Sequence, residues 1–320
     1  MRMIYWSYTD MDLSHLARLK RDISEEILVK SLESGIDEES ARAEIWVAWG
    51  PSLAKLRESD FQKFRNLKWL HVLNAGVEML PFERLAEKNL LVTNSRGIHV
   101  TQISEQILGM MICFSRGLHY HFRNKLEAKW ENRYSYDELY GKTLCIIGAG
   151  NIGRELARRA KAFDMEIVGI RSNAAEKPEH FDAVAGIDRL REMLGKSDYV
   201  VNLLPLTPAT RRLIGENEFA AMKPSAVFLN FSRGDVVDEQ ALIRALKNGK
   251  IRGAGLDVFQ TEPLPPDSEL WNMENVLITP HSSGFSPNLA EKMFDLFKRL
   301  YITYRSGGEM FNVVNLQKRY

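Results

Sequence analysis

Leu144-Cys145-Ile146-Ile147-Gly148-Ala149-Gly150-Asn151-Ile152-Gly153-Arg154 is the stretch on which the fold turns. An apolar run of strand length leads directly into G-x-G-x-x-G, and Arg154–Phe163 continues with the periodicity of a helix. Gly148 can make the tight turn, Gly150 lets the backbone approach a pyrophosphate, and Gly153 lets the helix pack closely on the strand. The first helical residues, Asn151 and Ile152, then present free N–H groups and the positive end of the helix dipole to a phosphate. Glycine-rich turns are common. The strand before and the helix after are what make this one a dinucleotide-binding prediction.

Outward from the turn, short apolar runs alternate with amphipathic stretches, the pattern of parallel sheets with crossover helices. Downstream, strands are predicted at Thr143–Ile147, Glu166–Ile170, Tyr199–Leu204, Ala226–Phe231, Gly253–Val258 and Val276–Thr279. The helices between them are read at Ile152–Phe163, Asp188–Leu194, Glu216–Met222 and Glu239–Leu246, which completes a dinucleotide fold. Upstream, Met3–Ser7, Glu44–Trp49, Trp69–Asn74 and Leu90–Thr93, with helical patterns at Leu53–Phe64 and Val77–Ala86, make a smaller doubly wound domain. The fold class is therefore α/β, with two doubly wound parallel-sheet domains. In Thr101–Leu118, Ile103, Ile107, Met110, Met111 and Phe114 recur at helix spacing, so this helix is expected between domains or subunits, with a core helix of one domain as the alternative. Tyr120–Tyr140 reads as a helix followed by an irregular surface loop, and Ser286–Tyr304 as a helix that returns to cap the first domain.

Composition narrows the function. The 320 residues carry 43 Lys and Arg against 42 Asp and Glu, a net charge of +1, so no global field favours nucleic acid. A 45% hydrophobic content over this length fits two globular domains and not a disordered chain. Two cysteines exclude a disulfide scaffold and a four-cysteine zinc site, and fit a reducing compartment. Cys113 and Cys145 both lie in apolar runs and are expected in the core. No apolar run reaches the roughly 18 residues of a membrane span. Met1–Ser7 lacks the apolar core of a secretory signal, so a cytoplasmic location is expected.

A second cofactor signal follows the strand Glu166–Ile170. A fold selecting NAD places Asp or Glu there for the ribose hydroxyls, and this chain has Arg171-Ser172-Asn173. A guanidinium pairs bidentately with a 2′-phosphate, and Ser172 adds a hydroxyl donor. NADP(H) is favoured; NAD(H) remains the alternative if Arg171 is only a solvated surface residue.

Reduction of a 2-keto acid needs a cation for the carboxylate, a proton donor for the carbonyl oxygen, and a carboxylate that keeps the donor oriented. Three strand ends offer this set: Phe231-Ser232-Arg233-Gly234, Thr261-Glu262-Pro263 and Pro280-His281-Ser282-Ser283-Gly284. All lie beyond the carboxyl ends of predicted strands, where ligands bind in such folds.

With these motifs in order, the whole chain resembles the D-isomer-specific 2-hydroxyacid dehydrogenases. The marks are Gly148–Gly153, Leu204-Pro205-Leu206-Thr207 with Thr210, Asn230-Phe231-Ser232-Arg233-Gly234, Gly255-Leu256-Asp257-Val258-Phe259, Glu262-Pro263 and Pro280-His281. The resemblance implies a flavodoxin-like substrate domain at about 1–96 and 287–320, a Rossmann domain at about 97–286, and a cleft between them. It places the catalytic set on Arg233, Glu262 and His281. Arg233 would bind the carboxylate, and His281, kept oriented by Glu262, would act as general acid. Ala75 and Gly76 would form a second carboxylate cradle. Leu204, Pro205, Thr210, Phe231, Ser232, Asp257, His281, Ser283 and Gly284 would border the cofactor. Family members are typically homodimers, which makes 101–140 the interface candidate. Trp130 resembles a tryptophan that reaches the partner's substrate pocket. No metal is required.

Glyoxylate or hydroxypyruvate suits an NADP(H)-leaning member. A phosphoglycerate-dehydrogenase-like enzyme using NAD is the alternative substrate reading, and a dinucleotide-sensing corepressor-like binding protein is the non-enzymatic one. A short-chain dehydrogenase would need Tyr-x-x-x-Lys, which none of the ten tyrosines provides. A nucleotide-fold methyltransferase would prefer an acid where Arg171 stands and would leave Arg233, Glu262 and His281 unexplained. His119 and His121 have H-x-H spacing but no ligand pattern around them, and are read as surface or interface residues.

Overall fold

A computed structural model describes residues 3–7, 13–30 and 36–319. The chain divides into two units, Met1–Ile98 with Ser286–Tyr320, and His99–Phe285. Both are α/β and both sheets are wholly parallel, as the alternating pattern predicts.

The first unit holds β1 (Met3–Ser7), β2 (Glu26–Val29), β3 (Ile45–Ala48), β4 (Trp69–Val72) and β5 (Leu91–Asn94), in the order β2-β1-β3-β4-β5. Every residue of β3 and β4 is buried, which is why β3 reads as a continuous apolar run and β4 as one interrupted only by His71. One face packs Trp6, Leu16 and Leu19 against Phe294, Phe297 and Leu300 of the helix Leu289–Ser306. β2 was not expected. It is a four-residue edge strand that is only half-buried, so it carries little apolar signal. The helix read across Leu53–Phe64 is broken into Gly50–Ala54 and Glu58–Lys63. Asp60 is buried and its Oδ2 accepts from the Arg57 N–H at 3.0 Å, which caps a new helix start where periodicity alone predicts continuity.

β4 also carries a buried polar network. Trp69 Nε1 donates to Thr93 Oγ1 at 2.9 Å, and His71 Nδ1 lies 2.9 Å from the same oxygen. His71 Nε2 is 3.3 Å from Ser95 Oγ, which donates to the Val72 carbonyl at 3.2 Å. These roles assign the Nε2–H tautomer to His71, and burial pulls its pKa down to about 3.

The second unit holds β6 (Thr143–Ile147), β7 (Glu166–Ile170), β8 (Ala183–Ala185), β9 (Tyr199–Asn202), β10 (Val227–Asn230), β11 (Gly253–Leu256) and β12 (Val276–Ile278). Their order is β12-β11-β10-β9-β6-β7-β8. The chain winds from β6 to one side and from β9 to the other, so the topological switch lies between β6 and β9, beside the glycine turn. Seven strands replace the expected six, because β8 is a three-residue edge strand too short to register as a pattern. Alternate residues of β6 feed opposite cores: Leu144 and Ile146 join Ile107, Met111 and Leu156, while Cys145 and Ile147 join Val200 and Phe228.

The helix Val100–Arg116 packs directly on β11. A Cβ at Gly255 would stand 2.7 Å from Met110 Sδ, and one at Gly253 would stand 2.8 Å from the Phe114 ring. Cys145 is buried as expected, which pushes its thiol up to about 12. Cys113 is a correction: it is half-buried, and its Sγ lies 3.7 Å from His119 Nδ1 in the next helix, Leu118–Leu126. No helix among the described residues is long and apolar enough to cross a membrane.

Candidate active site

The glycine turn joins β6 to the helix Asn151–Ala160. Gly148 has φ +102°, and a Cβ there would sit 2.9 Å from the Leu203 carbonyl group, so both conformation and space require glycine. A Cβ on Gly153 would meet Gly148 O at 2.7 Å and Ile146 Cγ2 at 3.0 Å, so this glycine seats the helix on the strand. Around Gly150 a Cβ would meet nothing within 4 Å. Gly150 is the N-cap, and no side chain caps the helix, so the N–H groups of Asn151 and Ile152 head an open space. That fits a phosphate group approaching the backbone.

At the end of β7, Arg171 is largely buried. Its guanidinium donates to Glu176 O at 3.2 Å and lies 3.6 Å from the Glu176 carboxylate. Ser172 and Asn173 are exposed beside it, with Asn173 Oδ1 accepting from Ala175 N at 3.3 Å. Beyond β9, Thr210 Oγ1 donates to Pro205 O at 2.6 Å and accepts from Thr207 N at 2.8 Å, stapling the turn that follows Leu204.

Arg233 follows β10. Asn202 Nδ2 donates to Asn230 Oδ1 at 3.1 Å and to Ser232 Oγ at 3.0 Å, fixing the buried Phe231-Ser232 segment. Arg233 N donates to Ser232 Oγ, and Arg233 NH1 reaches Ser232 O at 2.8 Å. A Cβ on Gly234 would lie 1.9 Å from the Phe259 carbonyl group. Only glycine lets the Arg233 turn close on the segment that carries Glu262, a role the sequence reading missed.

Glu262 Oε1 accepts from Phe259 N at 3.0 Å, and its Oε2 lies 2.7 Å from His281 Nδ1. An ionised carboxylate only accepts, so Nδ1 carries the proton and Nε2 is left for chemistry. His281 has φ +50° and is about half exposed. Its N–H is held by Asp257 O at 2.8 Å. Asp257 is buried, and both its oxygens are engaged. Oδ1 accepts from Thr279 Oγ1 at 2.6 Å and from Ser282 N at 3.0 Å, and Oδ2 accepts from Ser283 N at 3.2 Å and from Ser283 Oγ. Asp257 thus ties down the turn after His281, which the Phe285 N–H closes by donating to Ser282 O at 3.0 Å across Gly284.

In the other unit, Gly50 N donates to Asn74 Oδ1 at 2.7 Å, Ser95 N to Asn74 O at 3.0 Å and Asn94 Nδ2 to Ala75 O at 2.7 Å. With its carbonyls held, the turn leaves the N–H groups of Ala75 and Gly76 without an acceptor among the described residues. Trp130 is fully exposed. Among the described residues no cluster of three or more His, Cys, Asp or Glu is placed to hold a metal.

A parallel dinucleotide-type sheet with a paired His–Glu and an Arg at its strand ends defines a class of oxidoreductase site, and comparison with known proteins specifies it. Residues 108–283 match the family model described as D-isomer specific 2-hydroxyacid dehydrogenase, NAD binding domain. A glyoxylate reductase of Korarchaeum cryptofilum is 35% identical over 248 residues, 75% of this chain and 74% of that protein. A D-3-phosphoglycerate dehydrogenase of Methanocaldococcus jannaschii is 35% identical over 264 residues, 82% of this chain, but the match spans only 50% of that relative. A solved D-isomer specific 2-hydroxyacid dehydrogenase from Xanthobacter autotrophicus, in complex with NADPH and MES, aligns with TM-score 0.82 at 26% identity over 100% of this chain and 99% of that one. The chain belongs to the D-isomer specific 2-hydroxyacid dehydrogenase family, oxidoreductases that act on a CH–OH group.

Proposed function

We propose that the chain reduces a small 2-keto acid of the glyoxylate or hydroxypyruvate kind to the D-2-hydroxy acid, with NADPH as hydride donor. The observation that carries this is His281 Nδ1 at 2.7 Å from Glu262, on the strand-end side that also bears Arg233 and the glycine turn. The bound dinucleotide supplies the hydride. Arg233 makes charge-assisted bonds to the substrate carboxylate and so selects the face of the carbonyl that reacts. His281 gives the Nε2 proton to the carbonyl oxygen as charge develops there, and Glu262 stabilises the charged ring before transfer and holds its orientation afterwards. In the reverse direction neutral His281 takes the proton at Nε2. The amides of Ala75 and Gly76, free among the described residues, are suited to an anionic oxygen such as a carboxylate. Dinucleotide binding falls to His99–Phe285, and this cradle to the other unit.

Arg171, with Ser172, supports NADPH, and the Glu176 partner is exposed and displaceable by a 2′-phosphate. The Methanocaldococcus relative favours a second reading, a phosphoglycerate-type enzyme, which we pair with NAD as cofactor. Steady-state rates with NADPH and NADH separate them. The proposal expects kcat/KM to favour NADPH at least about tenfold with glyoxylate or hydroxypyruvate, and Arg171→Asp to reverse the preference. Equal use of both cofactors would remove the Arg171 argument. Cofactor binding without turnover of any 2-keto acid would favour a binding protein.

Assembly follows from the helix Leu118–Leu126. Leu118, Phe122 and Leu126 recur every fourth residue and are exposed on one side, with Trp130 beyond them. We assign this face to a second copy of the chain, as a homodimer.

A further inference from the structure

The helix Val100–Arg116 holds both ends of the loop that bears His281. At the far end, His99 Nδ1 lies 3.1 Å from Gly284 O, and Gln102 Nε2 donates to the same oxygen at 3.0 Å. At the near end, Gln106 Nε2 donates to Thr279 Oγ1 at 2.8 Å, and the Thr279 hydroxyl donates to Asp257 Oδ1 at 2.6 Å. Asp257 in turn accepts from the Ser282 and Ser283 amides. Positions 99, 102 and 106 share one face at the helix start, by the spacing of the helix repeat. The helix is a firm base for this, since Met110 and Phe114 press on Gly255 and Gly253 of β11, the strand that leads into Asp257.

We propose that His99, Gln102 and Gln106 form a latch that positions the general acid, with Gln106 as its central positioning residue, acting on Asp257 chiefly through Thr279 and also by a long direct bond to Asp257 Oδ1 at 3.5 Å. The proposal rests on the reading of His281 as the acid. Gln106 touches no reacting atom. With its amide in place, Thr279 can donate to Asp257, Asp257 can fix the Ser282 and Ser283 amides, and His281 keeps its backbone conformation. Without that donor, the Thr279 hydroxyl is free to turn and the Asp257 knot loosens on the side nearest His281.

The test uses Gln106→Met, Thr279→Val, Thr279→Ser and the Gln106→Met/Thr279→Val double variant. Keto-acid turnover, NADPH affinity by titration, and amide hydrogen exchange at Ser282 and Ser283 are measured on each. The latch predicts that kcat falls about 10- to 100-fold in Gln106→Met and in Thr279→Val, the size expected when a reacting group is misplaced by up to 1 Å. NADPH affinity should stay within about twofold, and the double variant should be no slower than the worse single one. Thr279→Ser keeps the hydroxyl and should retain wild-type kcat, so the relay stays testable if Gln106→Met folds poorly. Exchange at Ser282 and Ser283 should quicken at least about tenfold in Gln106→Met. Unchanged kcat in the single variants, or losses that multiply in the double, would overturn the proposal. If the wild type reduces no 2-keto acid, the general-acid reading fails separately. Exchange then decides the latch: faster exchange upholds it, and unchanged protection refutes it.

Discussion

Alanine at Gly150 and alanine at Gly153 should damage the same turn in opposite ways. A Cβ on Gly153 would sit 2.7 Å from Gly148 O, so helix or turn must give by about 0.7 Å to reach ordinary contact. Overpacking of that size typically costs about 1–3 kcal/mol. For a unit the size of His99–Phe285, where each kcal/mol moves Tm by about 2–4 °C, this corresponds to a fall in Tm of roughly 2–12 °C. Gly150→Ala meets nothing within 4 Å and has φ −84°, so the unliganded fold has no reason to object. A methyl at an N-cap loses up to about 1 kcal/mol, and the stiffer unfolded chain returns a similar amount. Tm should therefore move by less than about 2 °C. The methyl does occupy the space ahead of Asn151 and Ile152, where the phosphate is expected. Losing one charge-assisted bond there costs about 1.5–3 kcal/mol, or roughly 10- to 150-fold in Kd. Differential scanning calorimetry and NADPH titration of both variants give the comparison. Wild-type NADPH affinity in Gly150→Ala, or a large loss of its Tm in the absence of cofactor, would refute the reading that this glycine is kept for a ligand.

Two further outcomes follow from the structure. His71 is held neutral with its pKa at about 3, against an ordinary value of 6.5, so the unfolded chain binds the extra proton between these limits. Its contribution is complete above pH 6.5 and is lost as pH falls toward 3, about 2 kcal/mol between pH 7.5 and 5. In urea unfolding, His71→Leu should be less stable at pH 7.5 yet lose about 2 kcal/mol less than wild type on that acidification; parallel losses would contradict the assignment. Phe122→Asp places a charge in the middle of the exposed Leu118–Leu126 stripe and should shift the chain from dimer to monomer in analytical ultracentrifugation at micromolar concentration, whereas a monomeric wild type would remove the assembly proposal.

The fold class was legible because fully buried parallel strands cannot hide: β3, β4, β9 and β10 are buried along their length and mostly apolar, and the turn after β6 names its own geometry. What escaped was short and exposed. β2 and β8 lie at sheet edges, with four and three residues, and give no pattern longer than chance. The break near Arg57 escaped because one buried carboxylate, Asp60, outweighs the periodicity around it. At the site, residue types at strand ends pointed to Arg233, Glu262 and His281, but their support was invisible. Gly234 is needed because of Phe259, and Gln106 reaches Thr279 across 173 residues of chain, so neither relation leaves a local mark. Asp257 is legible as an acid that borders the cofactor by resemblance, but its bonds to Thr279, Ser282 and Ser283 leave no mark in the sequence.

The central claim is that His281, held by Glu262, delivers the proton that accompanies hydride transfer to a 2-keto acid. The most direct measurement is NADPH-dependent reduction of hydroxypyruvate by wild type and His281→Gln, with chiral analysis of the glycerate formed and NADPH affinity measured alongside. The account predicts D-glycerate from the wild type, a loss of about 10²- to 10⁴-fold in kcat for the variant, and unchanged NADPH affinity. Wild-type turnover by His281→Gln, or formation of L-glycerate, would contradict it.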